Sequence, residues 1–189
     1  MSGQSPSYED ALALMHEYTQ SDALRKHMYG VEAAMRSYAR KFSEDEESWG
    51  MTGVLHDFDY EKYPTPPDHP LKGSEVLKEK GYSDEIRVAI LGHASYTGVP
   101  RETLLAKTLF ACDELSGFIH AVAVIRPNKI LDLEVSSVKK KLKDKGFARN
   151  VSREDIRQGV EEVGQDLDGH IQFVIDAMKK EANRLGLST

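Results

Sequence analysis

The sequence predicts an all-α protein with a single domain, built as an orthogonal array of helices. Along most of the 189 residues, apolar side chains recur at intervals of three and four, the period of a helix with one buried face. No segment shows the alternation of apolar and polar residues that is typical of a half-buried strand. The length suits one compact core and is short for two.

Local signals place the first helices. Ser7 and Asp10 have the spacing of a capping box, and Ser21 is a suitable cap for a helix that ends near residue 42. A third helix is expected over 45–57, and the prolines within 63–67 exclude a helix interior there. Further helices are expected over 69–80, 84–95 and 100–126.

The C-terminal third is expected to contain a lysine-rich helix over 134–144 and a final helix over 153–185. Ser152 and Asp155 have the spacing of a second capping box at the start of that final helix. Glycines at positions 159, 164 and 169 disfavour one straight helix.

Composition limits the function classes. A net charge of −6 argues against a stable nucleic-acid partner. The first six residues lack the basic and apolar regions of a signal peptide, and no apolar run is long enough to span a membrane. Cys112 is the single cysteine, which excludes an internal disulfide, fits a reducing cytoplasm and is expected to be a buried packing residue.

The most informative motif is the dipeptide His56-Asp57. Imidazole and carboxylate are ligands of Zn, Mn, Fe and related divalent ions. Two such ions a few ångströms apart can activate a water and clamp a phosphoryl group. Six residues supply enough ligands for two ions: His27, His56, Asp57, His69, His93 and Asp113.

The helical pattern supports some of these candidates more than others. Asp113 and His93 fall on apolar faces, where a polar group is costly unless it is paired or bound to a metal. His27 points inward, as many hydrogen-bonded core histidines do. His69 lies in a polar stretch, where a solvated residue is an equally good explanation. The remaining histidines have no matching partners and are left out: His16, His120 and His170.

In this order of residues, the chain resembles the HD superfamily of metal-dependent phosphohydrolases. The defining pattern is a His, an adjacent His-Asp and a distant Asp, here His27, His56-Asp57 and Asp113. His69, followed four residues later by a glycine, and His93 resemble the additional ligands of the dinuclear HDIG and HD-GYP branches. The resemblance covers about residues 20–120 and implies a metal-binding core there, with a helical extension over about 130–187. Small bacterial predicted hydrolases of this superfamily share the string His-Asp-Phe-Asp-Tyr-Glu-Lys-Tyr-Pro found at 56–64.

Two positions depart from the dinuclear branches. Those enzymes carry Gly-Lys two and three residues after the His-Asp pair, where this chain has Asp59 and Tyr60. Many also carry paired histidines where this chain has His93 alone. The first departure disfavours a cyclic-dinucleotide activity, whereas the second leaves one ligand for a second metal.

The resemblance implies two divalent ions, drawn from Fe, Mn, Zn, Mg, Co and Ni. One would be held by His27, His56, Asp57 and Asp113, and the second by His69 and His93, with Asp57 bridging. Metal-bound water would then attack phosphorus. We expect three residues to take part in catalysis: Asp57 as the bridge, Asp59 as a group that orients water or protonates the leaving group, and Lys62 as a phosphate contact.

A basic run could recognise the small phosphorylated substrate or nucleotide that this chemistry needs. Lys and Arg suit phosphate binding, although a solvated helix face is the favoured explanation of the run. The run comprises Lys139, Lys140, Lys141, Lys143, Lys145, Arg149 and Arg153.

Two other functions remain open. Some members of the superfamily use the same six ligands in a mixed-valent di-iron oxygenase, for which Tyr60 would be a candidate O₂-pocket residue. A regulatory domain with a structural metal or a bound nucleotide is the other. The ligand set alone does not separate the oxygenase from a hydrolase, whereas an intact ligand set argues against the regulatory domain. No heptad seam indicates an oligomeric state.

Overall fold

The structure, a computed structural model, describes residues 5–189, and every regular element in that range is helical. The nine α-helices of this range are α1 (Tyr8–Tyr18), α2 (Asp22–Phe42), α3 (Glu46–Leu55), α4 (Asp68–Glu79), α5 (Asp84–His93), α6 (Leu104–Val124), α7 (Val135–Leu142), α8 (Arg153–Glu162) and α9 (Leu167–Lys180). A 3₁₀ turn, Ser95–Thr97, follows α5. The all-α prediction is confirmed.

Capping residues set most of the helix starts. The capping box of Ser7 and Asp10 forms at α1 as predicted. The side chains of Ser21, Asp45 and Thr103 accept backbone N–H groups at the starts of α2, α3 and α6. The first turn of α4 differs, because it has no side-chain cap and His69 has an extended backbone (ψ 132°). His69 therefore lies at a kink and is not held in regular helix.

Two 21-residue helices, α2 and α6, form the centre of the molecule. Helix α2 packs against α3, α6 and α9, and α6 packs against α5 and α8. Gly53 lets α3 approach α2 closely, because a Cβ at this position would lie 2.8 Å from the Glu32 Cα. This close approach brings the C-terminal end of α3, with His56, against α2.

One apolar core runs through the described residues from α1 to the C-terminal segment, with Ala11 and Leu187 both part of it. The buried carboxylate of Glu32 joins α2 to the C-terminal segment, since it accepts hydrogen bonds from Arg36 on α2 (2.8 Å) and from Arg184 (2.9 Å). A buried charge with one partner removed is strongly destabilising, so this double pairing fixes the C-terminal segment on α2.

Two boundary predictions and one capping prediction differ from the structure. The expected final helix over 153–185 is divided into α8 and α9, because Gly164 adopts a left-handed conformation (φ 67°) between them. Helix α6 begins at Leu104, four residues after Pro100, since Thr103 is its cap. Only half of the second capping box forms: Ser152 accepts the Asp155 N–H, but Asp155 does not accept the Ser152 N–H.

No helix in residues 5–189 combines the length and the apolar character needed to cross a membrane. Residues 1–4, which carry part of the expectation about a signal peptide, lie outside the described residues. Cys112 is fully buried, as predicted.

Candidate metal centre

Five helices bring the six candidate ligands to one place. Each ligand lies in a helix or just after the end of one. The positions are His27 in α2, His56 and Asp57 just after α3, His69 in the first turn of α4, His93 at the end of α5 and Asp113 in α6.

The first cluster consists of His27, His56 and Asp113. The Nε2 atoms of His27 and His56 are 3.1 Å apart, and Asp113 Oδ1 lies 3.0 Å from the first and 3.3 Å from the second. For metal–ligand bonds of about 2.1 Å, neighbouring ligand atoms lie roughly 3.0–3.5 Å apart. Two imidazole nitrogens that face one carboxylate oxygen at these distances have the arrangement of three ligands around one ion.

The second cluster consists of Asp57, His69 and His93. Asp57 Oδ1 lies 3.2 Å from His69 Nε2 and 3.2 Å from His93 Nε2. Its other oxygen, Oδ2, faces the first cluster, at 3.5 Å from His56 Nε2 and 3.7 Å from His27 Nε2. The two oxygens of Asp57 are thus divided between the two clusters, as in a carboxylate that bridges two ions.

The backbone fixes which ring nitrogen faces the clusters. His56 Nδ1 donates to the Gly53 carbonyl at 2.8 Å, and His93 Nδ1 donates to the Ile90 carbonyl. Each carbonyl lies three residues before its histidine, so the helix itself selects the tautomer. A proton on Nδ1 leaves a lone pair on Nε2, which is the atom that faces the cluster.

Asp59 orients the His69 ring in the same way, by accepting its Nδ1 proton. His69 Nδ1 donates to Asp59 Oδ1 at 2.7 Å, and the Gly73 N–H donates to Asp59 Oδ2 at 2.8 Å. The Asp59 side chain is 1 % exposed, so its two oxygens are buried and each has a partner. Gly73 is required by this contact, since a Cβ would lie 2.6 Å from the Asp59 Cγ.

The ionisation of the ligands reflects their mutual attraction. Burial alone would lower the pKa of His69, but hydrogen bonds to Asp57 and Asp59 raise it to about 9. Burial likewise opposes protonation of His56, yet the nearby charges of Asp57 and Asp113 raise its pKa well above the ordinary value. Burial would raise the pKa of Asp57, and the charge of His56 outweighs it, so that this pKa is well below the ordinary value. Buried carboxylates that attract protons onto neighbouring histidines attract a metal cation by the same field.

A pocket of about 460 Å³ opens onto both clusters. Tyr60 and Tyr96 form part of its wall, and the Tyr96 hydroxyl donates to the His69 carbonyl at 2.6 Å. Both tyrosines are exposed, at 44 % and 54 %. The clusters are therefore open to small molecules on this side, which a catalytic metal requires and a closed structural site lacks.

Sequence reasoning missed two carboxylates in this pocket, Glu114 and Asp155. Glu114 Oε2 accepts the Ser152 N–H at 2.9 Å, the group that a capping box would have given to Asp155. Burial and the neighbouring Asp113 raise the pKa of Glu114 to about 7. For Glu114, the signal available in the sequence was a second acidic residue directly after Asp113 in an apolar helix. Asp155 was missed because its spacing from Ser152 already had an explanation as a capping box.

Lys62 lies elsewhere. Its Nζ is 3.5 Å from the centre of the Tyr18 ring, a cation–π contact, and it is not among the residues that line the pocket. The structure thus brings together the six predicted ligands and Asp59, but not Lys62.

Two of the three remaining histidines have ordinary hydrogen-bond partners. His170 is fully buried; its Nε2 donates to the Ala111 carbonyl at 2.8 Å, and its Nδ1 accepts the Tyr38 hydroxyl at 2.5 Å. His16 pairs with the Tyr29 hydroxyl at 2.5 Å. Neither belongs to a cluster that could hold a metal.

The donor set fits divalent ions. Each cluster offers three ligand atoms that lie within 4.8 Å of one another, all of them imidazole nitrogens or carboxylate oxygens. Such sets bind Zn, Fe, Mn, Co and Ni, and they do not select one of these metals.

Comparison with known proteins agrees with this geometry. Residues 24–117 match the model of the HD domain family, a range that begins three residues before His27 and ends four after Asp113. No curated protein matches the chain significantly. No solved structure does either. All six clustered ligands lie within the matched range, and the chain therefore belongs to the HD superfamily, whose members are generally metal-dependent hydrolases.

Proposed function

We propose that this protein is a phosphohydrolase with two divalent metal ions, which cleaves a phosphoester of a small phosphorylated molecule or nucleotide. The observation that carries the proposal is the division of Asp57, whose Oδ1 faces His69 and His93 while its Oδ2 faces the first cluster. A carboxylate in this position supports a pair of adjacent ions, and paired ions suit in-line displacement at phosphorus.

The bound ions would supply Lewis-acid activation of a water and neutralisation of phosphoryl oxygens. The chain's own residues would hold the ions and orient the ligating rings. His27, His56 and Asp113 would hold one ion, His69 and His93 the other, and Asp57 both. The Nδ1 hydrogen bonds of His56 and His93 keep both rings in the ligating orientation.

We assign different roles to four residues beyond the ligands. Asp59 has its oxygens on His69 and on the Gly73 N–H, so we propose that it positions His69 and does not transfer a proton to substrate. Glu114 and Asp155 face the pocket without belonging to a cluster, and they are better placed to contact the substrate. We propose no catalytic role for Lys62, because its ammonium lies on the Tyr18 ring.

The test combines metal content with turnover. Protein purified without chelator or a nickel column is analysed by mass spectrometry, then incubated with p-nitrophenyl phosphate and bis(p-nitrophenyl) phosphate in the presence of Mn²⁺, Co²⁺, Zn²⁺ or Fe²⁺. About two ions per chain and metal-dependent release of nitrophenol are expected. Asp57→Asn should abolish both, whereas Asp176→Asn, at an exposed site on α9, should leave both unchanged.

Other outcomes favour other functions. Two iron ions with O₂ consumption, and no turnover of either ester, would indicate the oxygenase. Firmly bound metal with neither reaction would indicate a regulatory domain and contradict the proposal.

A further inference from the structure

A second pocket, of about 590 Å³, lies among α7, α8 and the start of α9. Its apolar floor is formed by Leu142, Val151, Ile156 and Leu167. Its rim is cationic and consists of Lys139, Lys143, Lys145, Arg149, Arg153 and Arg157. We name it the basic pocket.

Within the described residues, four of these six cations form no ion pair, and one of the four, Arg153, instead donates to backbone carbonyls. Lys139 pairs with Asp168 at 2.7 Å, and Arg157 pairs with Glu154 at 2.5 Å. Lys143, Lys145 and Arg149 are exposed and form no ion pair with a described residue. In a chain with a net charge of −6, three unpaired cations around one pocket make a local positive field that attracts anions.

The segment that carries these cations is held in a fixed shape. The Arg153 guanidinium donates to the carbonyls of Ala148 (2.6 Å), Val151 (2.9 Å) and Asp144 (3.2 Å), and also to that of Phe147. Its planar face lies 4.8 Å from the centre of the Phe118 ring on α6. Arg153 thus crosslinks the backbone of the loop after α7, and this wall of the basic pocket has a fixed shape.

The basic pocket adjoins the metal pocket. Val151 lines both. The next residue, Ser152, donates its N–H to Glu114, which follows the ligand Asp113. Asp155, one turn along α8, lines the metal pocket, while Ile156 lines the basic pocket. Val151 is thus common to a pocket lined by metal ligands, Glu114 and Asp155 and to a pocket lined by apolar side chains and unpaired cations.

We infer that the basic pocket is a second anion subsite, and that the substrate is an elongated molecule with a phosphoester at the metals and another anionic group held by Lys143, Lys145 and Arg149. The inference rests on the proposed function for its first half. Between the two anionic ends, hydroxyl groups would donate to Glu114 and Asp155, and a ring would cover the apolar floor. A nucleotide or sugar phosphate with a second phosphate has these features.

The experiment compares adenosine 3′,5′-bisphosphate with adenosine 5′-monophosphate on the metal-loaded protein. Binding is measured by calorimetry, and phosphate release is followed on the same samples. The wild-type protein should prefer the bisphosphate roughly tenfold or more, because its second phosphate gains charge-assisted hydrogen bonds from the basic pocket. Lys145→Glu with Arg149→Glu should remove that preference and leave the affinity for the monophosphate within about twofold.

A matched control carries the same change of charge elsewhere. Lys78→Glu with Lys180→Glu, at exposed positions on α4 and α9, should keep the preference. Equal binding of the two ligands to the wild type, or a preference that survives the Lys145 and Arg149 change, overturns the inference. A preference that is lost in that variant, without any phosphate release from the wild type, keeps the subsite and contradicts the proposed function instead.

Discussion

Asp59 accepts the Nδ1 proton of His69 at 2.7 Å and, through its other oxygen, the Gly73 N–H at 2.8 Å. This relationship joins the loop after α3 to the first turn of α4. It also replaces the backbone carbonyl that orients His56 and His93, because His69 lies at a kink where no preceding helical carbonyl is available.

Asp59→Asn is therefore expected to weaken the second metal site and spare the first. The Asn amide has one oxygen that can accept, whereas the His69 Nδ1–H and the Gly73 N–H each need an acceptor. Either His69 or Gly73 therefore loses its partner. Removing a partner of this kind lowers metal affinity by about 10–100-fold. Competition titration with a chromogenic chelator measures both sites, and His69→Ala gives the limit of complete loss. Equal weakening of both sites would show that Asp59 acts on the whole centre.

Gly73→Ala is expected to disturb the same relationship from the other side. The added Cβ would lie 2.6 Å from the Asp59 Cγ and 3.0 Å from the buried Phe58 ring. Overpacking of this kind costs about 1–3 kcal/mol in the free energy of unfolding. Urea unfolding of the metal-free protein measures it, with Glu75→Ala, at an exposed position on the same helix, as the neutral control. A loss of unfolding free energy no larger than that of the Glu75→Ala control would show that the loop carrying Asp59 shifts to accept the methyl group without an energetic cost.

The His69 and His93 ligands should be separable from the others. The Nε2 atoms of both histidines face Asp57 Oδ1 and belong to the second cluster alone. Replacing both residues with alanine should therefore lower the metal content from about two ions per chain to about one. Mass spectrometry on natively purified protein measures the content. A drop to zero would indicate that the two ions bind only together.

The clustering of three of the candidate ligands could be predicted from the sequence because they lie on regular helices. His27, His93 and Asp113 fall on helix faces that the 3.6-residue period identifies as inward, and packing then brings those faces together. The contact of Asp59 with His69 was not predictable, since it depends on the path of the irregular segment between α3 and α4. Glu114 and Asp155 were missed for a similar reason: the Ser152 N–H has two possible acceptors, and only the packing of α8 on α6 decides between them.

Metal uptake is expected to release protons and to tighten as pH rises. In the metal-free protein the pKa of His69 is raised to about 9, so between pH 6.5 and 9 the ring must lose a proton before it can bind an ion. Apparent affinity should then increase about tenfold per pH unit for each proton displaced. Calorimetry in buffers of different ionisation enthalpy counts the protons, and His69→Ala should release fewer than the wild type.

The stability of the metal-free protein should show the opposite trend at the same residue. A histidine with a raised pKa contributes stability that is fully present below its unfolded value, near 6.5, and is lost as pH rises through about 9. Urea unfolding without metal should therefore show a contribution at pH 6 that His69→Ala lacks and that vanishes by pH 10. A difference between wild type and variant that does not change with pH would contradict the raised pKa.

Glu114→Gln is expected to stabilise the metal-free protein at high pH, because the pKa of Glu114 is raised and not lowered. Burial and Asp113 raise it from the ordinary 4.5 to about 7, so the metal-free folded protein binds a proton that the unfolded chain has lost, and its stability falls as pH rises between those values. Glu114→Gln keeps an acceptor for the Ser152 N–H without the charge. The variant should be more stable than the wild type at pH 8, and this advantage should shrink toward pH 5. Glu162→Gln is the control of opposite sign, since hydrogen bonds from Arg101 lower the pKa of Glu162, and its loss should cost stability above pH 5. Parallel pH profiles for the two variants would show that Glu114 is not held in the buried, proton-binding environment described for it.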